Sequence, residues 1–168
     1  MLTPLNSDTV SSSRRWWTYL AGYDGLVGST RVDMDLRHVA PDKNLPYLVI
    51  LGTSYASSRE DKLPDAAEIE RLNEISDAII LSVTKLGPAV YAGTFTNDLE
   101  QLHFVYVSSL VSAEASFHKE HAKQCPNGKP TYIEQHDPNW EQYLGFLYPN
   151  QQTIEFYGFD TKTNTSTR

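Results

Sequence analysis

The sequence predicts an α+β domain: an antiparallel sheet with helices on one face, built on a ferredoxin-like βαββαβ core with an N-terminal β-hairpin extension and a C-terminal helix. Three observations predict it. A long segment between Asp65 and Gly87-Pro88 carries apolar residues at helical spacing, bounded by a capping residue and a stop. The run Tyr47-Leu48-Val49-Ile50-Leu51 is apolar at every position, as a central strand covered on both sides requires. From Tyr47 onward the segments follow the order strand, helix, strand, strand, helix, strand.

Each element has its own warrant. Trp16 to Tyr23 is aromatic-rich and ends in the turn signal Asp24-Gly25, which predicts a hairpin with a second strand from about Ser29. In that second stretch Val32, Met34 and Leu36 alternate with Asp33, Asp35 and Arg37, so the charges are expected on a wet strand face. Ala56 to Lys62 reads as a charged, Ser-rich loop. In the long helix Asp65 and Glu68 have capping-box spacing, and Ile69, Leu72, Ile75, Ile79, Val83 and Leu86 form one stripe directed at the sheet.

Ala89 to Phe95 and Leu102 to Val107 flank Asn97-Asp98 as a second hairpin. Ser112 is positioned to cap a shorter helix running to about Lys123, with Ala113 and Phe117 inward. Asn127-Gly128 turns the chain into a strand from Thr131 to Gln135. Asp137-Pro138 then opens a last helix, whose buried side is Trp140, Tyr143, Leu144 and Leu147 and which is expected over an edge or end of the sheet. Residues 14–160 form one domain in this reading, and the polar, aperiodic stretches 1–13 and 161–168 are disordered tails.

Composition narrows the function classes. The 168 residues are 40% hydrophobic and 21% charged, within the globular range. A formal charge of −7 repels phosphate backbones, which argues against nucleic acid as a partner. Cys125 is the only cysteine, so no internal disulfide can form, and a reducing, cytoplasmic setting is expected. No apolar run approaches the ~20 residues of a membrane span, and the N-terminal stretch lacks the apolar segment of a signal peptide.

Several short patterns together resemble a known family. Trp16-x-x-Tyr19, Gly93-Thr94, the strand His103-Phe104-Val105-Tyr106 and above all Asp137-x-x-Trp140-x-x-Tyr143-x-x-x-Leu147-Tyr148-Pro149 resemble domain-of-unknown-function family 695 over roughly residues 16 to 149. The resemblance implies a bacterial, intracellular α+β protein similar in architecture to the regulator of ribonuclease E activity B, which works by binding another protein. Where the family tends to carry a Gly-containing loop before its long helix, this chain reads Arg59-Glu60-Asp61-Lys62-Leu63-Pro64.

Candidate chemistry is sparse. Glu114, His118 and His121 are spaced four and three apart, so one helix face can present a carboxylate and two imidazoles to a divalent metal, although His121 also suits the edge of the Phe117 stripe. His136-Asp137 invites an acid/base role, but Asp137 is better placed as a helix cap before Pro138. Cys125 sits near a helix C-terminus, where the dipole opposes thiolate formation. His103 shares a strand face with Val105 and Val107, the pattern of a packed histidine. Asp33 and Asp35 share the wet face with Arg37 as their partner.

Trp16, Trp17 and Tyr19 offer aromatic faces, yet only Arg14 and Arg15 supply cations beside them. The expected function is a non-enzymatic protein-binding or regulatory domain with no cofactor. It would present Trp16 and Tyr19 of the hairpin, or Arg59, Glu60 and Asp61 of the loop, to a protein partner. The alternatives are a metal-dependent hydrolase using Glu114, His118 and His121, and single-stranded nucleic-acid or small-ligand binding at the aromatic hairpin.

Overall fold

A computed structural model describes residues 15–161; the expectation of disordered tails at 1–13 and 161–168 falls, apart from residue 161, outside the described residues. Six strands, β1 (Trp16–Tyr23), β2 (Leu26–Asp33), β3 (Tyr47–Ser54), β4 (Ala89–Asn97), β5 (Glu100–Val107) and β6 (Pro130–His136), form one sheet. Its order is β1-β2-β4-β5-β3-β6, with every neighbouring pair antiparallel. With helices α1 (Ala66–Thr84) and α2 (Ala113–Gln124) between them, β3 to β6 are the ferredoxin-like core, and the β1-β2 hairpin extends it beyond β4.

The centre of the sheet is dry on both faces. In β3, Leu48 and Ile50 enter one core while Val49 and Leu51 enter the other, which is why that strand is apolar at every position. On the second of these faces lie α1 and α2. Asp65 caps α1 by accepting a hydrogen bond from the Glu68 N–H at 3.0 Å, and Leu72, Ile75, Ile79, Ile80 and Val83 are buried. Each such side chain contributes roughly 1.5–3 kcal/mol on leaving water. The two ends of the expected stripe differ: Ile69 and Leu86 are both 44% exposed, and the C-cap is Lys85 rather than Gly87. Ser112 lies at φ 65° and makes no capping bond, so α2 starts without a side-chain cap, but Ala113 and Phe117 are buried as expected.

The alternating stretch after β1 is not one strand. β2 ends at Asp33, and Met34–His38 is a turn of 3-10 helix in which the Asp35 N–H donates to Asp33 Oδ1 at 3.0 Å. Period 2 and a short 3-10 turn both bury Met34 and Leu36, so the pattern does not distinguish them. Asp33 is 0% exposed instead of wet, Asp35 pairs with Arg15 at 3.1 Å, and Arg37 lies over the Tyr148 ring.

The C-terminal segment covers the opposite face of the sheet, not an edge. Pro138 stands in a turn, Trp140 takes a left-handed φ of 54°, and the chain then winds through a π-helical turn at Tyr143–Leu147 before α3 (Gln151–Tyr157). Asp137 anchors it: its carboxylate accepts from the Glu141 N–H at 2.8 Å, the Gln142 N–H at 3.1 Å and the Tyr106 hydroxyl at 2.7 Å. Trp140 stacks on Tyr106 at 4.1 Å and donates from its indole to the Leu45 carbonyl. The Tyr143 and Tyr19 hydroxyls donate to the Asp33 and Leu147 carbonyls at 2.6 and 2.8 Å. Among the described residues no helix is long and apolar enough to cross a membrane.

Replacing Asp137 with Ala removes three hydrogen bonds and leaves the buried Tyr106 O–H without its acceptor, although the oxygen still accepts from the Tyr143 N–H, so Asp137→Ala is expected to lower the urea-unfolding free energy by about 3 kcal/mol. A loss below about 1 kcal/mol would show that the apolar contacts alone hold this segment.

Candidate functional site

Two helices suffice for a four-strand core, and this sheet has six strands. Among the described residues no helix lies above the hairpin extension on the helix face, and an open groove of about 600 Å³ remains. Its floor is β1, β2, β4 and β5, and one wall is α1, with Ile69, Asn73, Ser76, Asp77 and Ile80. Residues Arg59, Leu63 and Pro64 of the preceding loop close one end.

The floor is polar. Thr18 of β1, Ser29 and Arg31 of β2, and Thr94 and Thr96 of β4 all face it, with Gln101 and His103 of β5. A β-bulge makes this possible. The β4–β5 register shifts between Tyr91 and Gly93, so one additional residue, Ala92, is inserted, and Tyr91 and Thr94 point to the same face although they are three apart. Gly93 is required there, because a Cβ would stand 2.6 Å from the Arg31 carbonyl on the neighbouring strand. The Tyr91 hydroxyl bonds to Thr94 Oγ1, which bonds in turn to His103 Nδ1 at 2.7 Å.

Burial shapes the electrostatics of this chain. His103 is 3% exposed, and desolvation, with the nearby Arg31 charge, pushes its pKa down to about 4. Burial likewise raises the Tyr91 phenol above its ordinary value. The imidazole is thus neutral at pH 7, and its two tautomers let the Tyr91–Thr94–His103 chain run in either direction. Arg31 lies with its guanidinium carbon 4.3 Å from the centre of the Trp16 ring, which itself stacks on Tyr91.

The structure separates the residues singled out in the sequence. Trp16 borders the groove as the support of Arg31, whereas Tyr19 is buried in the opposite core. Trp17 is also turned to that opposite side, where it packs on Phe159 and Tyr157. Arg59 reaches the groove but is held by Asp61 through bonds of 2.9 and 2.6 Å, and Glu60 is exposed beside them. Glu114 and His118 stand 3.8 Å apart on the surface, while His121 is buried and bonded to Thr53 Oγ1 at 2.9 Å. The three are not brought together, and among the described residues no group of three or more His, Cys, Asp or Glu side chains could hold a metal ion. Cys125 is a buried free thiol.

The profile of the family described as a family of unknown function (DUF695) matches residues 14–148. The chain belongs to that family. No curated protein and no solved structure matches the chain. Within this DUF695 domain, two stretches that carry the resemblance, Gly93-Thr94 and the strand from His103, lie directly across from one another.

Four groove-lining residues, Arg31, Tyr91 and Thr94 of the floor and Asp77 of the α1 wall, carry no site signal in the sequence. A hairpin register supplies part of the missing signal: once Asn97 pairs with Glu100, Thr94 must pair with His103.

The depressed pKa of His103 makes stability depend on pH. An unfolded histidine titrates near 6.5 and the folded one near 4, so acidification through that window protonates only the unfolded chain. Stability falls with pH across this interval, by roughly 3 kcal/mol from this group, and no further below it. In His103→Gln the contribution is absent. The difference in urea-unfolding free energy, native chain minus variant, should therefore drop by about 3 kcal/mol between pH 7 and pH 4; a constant difference would mean that the imidazole is not shielded.

Proposed function

We propose that this DUF695 protein is a non-enzymatic binding domain that receives a segment of a partner protein in the groove between α1 and the β1-β2 hairpin. The supporting observation is a concave floor of converging hydroxyl, imidazole and guanidinium groups, where no helix among the described residues covers the hairpin extension. Leu20 and Ile69, 49% and 44% exposed, line the same groove and supply apolar area that a macromolecular partner would desolvate.

Catalysis is the weaker reading of the same residues. A general base works best with a pKa near the working pH, and His103 lies well below it. Its Nδ1 bonds to Thr94, so no carboxylate orients the ring from that side. Partner binding is also the role that the family resemblance implies, by analogy of fold with the regulator of ribonuclease E activity B. The compartment this reading assumes is a reducing, bacterial cytoplasm.

A second reading is binding of a small molecule at the same place. The groove volume favours it, since about 600 Å³ falls within the range of ligand clefts.

Capture from the native cytosol with immobilised protein tests the first reading. Ser29→Trp fills the groove from its floor, and Ile133→Ser alters a distant exposed site on the edge strand β6. A saturable protein retained by the native chain and by Ile133→Ser but lost with Ser29→Trp is the expected result. Retention by Ser29→Trp would overturn the groove as the docking site.

A further inference from the structure

Two unlike charges face this groove without an ion-pair partner among the described residues. Among the described residues no carboxylate lies within ion-pair reach of Arg31, and none of the hydrogen bonds or ion pairs involves the Asp77 side chain. The third charged group in the lining, Arg59, is already neutralised by Asp61. Arg31 belongs to the sheet floor and Asp77 to the α1 wall, and both act on the Tyr91 phenol, with opposite signs. The two charges therefore flank one hydroxyl from two sides of the cleft.

Resting on the reading of this groove as the binding site, we infer that its ligand is zwitterionic, with a carboxylate directed to Arg31 and an ammonium directed to Asp77. A ligand of one sign would leave the opposite charge of the groove unmatched on losing water, and a neutral ligand would leave both so.

The polar groups sort the same way. Beside Arg31 stand donors: the Ser29 hydroxyl and the Tyr91–Thr94–His103 chain. When His103 carries its proton on Nδ1 and donates to Thr94, Thr94 donates to Tyr91, and the phenol O–H is free to donate to a carboxylate. Beside Asp77 stands Asn73, one turn earlier on the same helix, whose amide oxygen can accept from an ammonium. The guanidinium is preorganised, since the Trp16 ring beneath it restricts its rotamers before any ligand arrives. Leu20 and Ile69 remain for an apolar side chain. A partner segment carrying an acidic and a basic side chain beside a leucine is the occupant with this chemistry, and a free α-amino acid, which shares it, is the alternative that the experiment separates.

Side-chain NMR of Arg31 Nε–H and of the Trp16 indole reads binding directly. The probes are L-leucine, a blocked pentapeptide containing glutamate, leucine and lysine, and two single-charge controls, leucinamide and 4-methylpentanoate. Saturable shifts with L-leucine assign a free amino acid, and saturable shifts with the pentapeptide alone assign a protein source. In either case loss of one ligand charge, or Arg31→Gln or Asp77→Asn, should weaken binding by about tenfold or more. Both variants sit at exposed positions, and their amide spectra verify the fold. Binding of either control as tightly as L-leucine would overturn the charge pairing and leave the groove standing as a binding site. Silence from both L-leucine and the pentapeptide would overturn the zwitterionic ligand, and loss or survival of the groove reading is then decided by the Ser29→Trp capture.

Discussion

The structure depends on a mismatch of coverage: six strands lie in one sheet, and the two faces are covered to different extents. On one face the C-terminal segment reaches across to the hairpin, where the Leu147 carbonyl accepts from the Tyr19 hydroxyl and the Tyr143 hydroxyl donates to the Asp33 carbonyl. On the other, α1 and α2 pack against each other and over the four-strand core only. Ser116 Oγ of α2 donates to the Ser82 carbonyl of α1, which ties the pair together away from the hairpin. A sheet face that is not covered must be polar, and Thr18, Ser29 and Arg31 are polar for that reason. The groove is thus a consequence of topology before it is a matter of particular residues.

The covered face is what allows the open one to persist. A two-stranded extension is marginal by itself, because it has one neighbour and a free edge. Here β1-β2 is held from below by an aromatic layer in which Trp17 meets Phe159 and Tyr23 meets Phe95 and Phe146. The Tyr157 hydroxyl accepts from the Leu20 N–H at the edge of β1 and blunts it. The left-handed backbone at Trp140 is strained for a bulky residue, and the surrounding bonds of Asp137, Tyr106 and Leu45 hold it. Strain at that corner is the cost of swinging the chain from β6 across to the hairpin.

The elements legible in the sequence were those with one period and one cap. α1 follows from Asp65 and its apolar spacing, and β3 from its unbroken apolar run, because burial leaves a direct mark on residue type. Legibility failed where two geometries bury the same positions. Met34 and Leu36 are inward in a strand and in a 3-10 turn alike, so the end of β2 and the burial of Asp33 were hidden. Trp140 lies one position before a helix and is buried, so it satisfied a helical stripe without belonging to one. Ile69 continued the stripe of α1 by spacing, but the sheet beneath it turns polar, which no local pattern records.

The candidate site was less legible, for a physical reason of the same kind. Its residues come from four strands, a helix and a loop, and nothing local links Arg31 to Asp77 or Tyr91 to His103. Tyr91 and Thr94 meet only because Ala92 is an extra residue in β4, and strict alternation would have placed them on opposite faces. His103 was correctly read as a packed histidine, yet packing and participation are not exclusive. A buried neutral imidazole at the floor of an open groove is rigid, uncharged and able to reverse its hydrogen bonds. Those properties suit it to adjusting the Tyr91 hydroxyl toward a ligand, and they unsuit it to taking a proton from one.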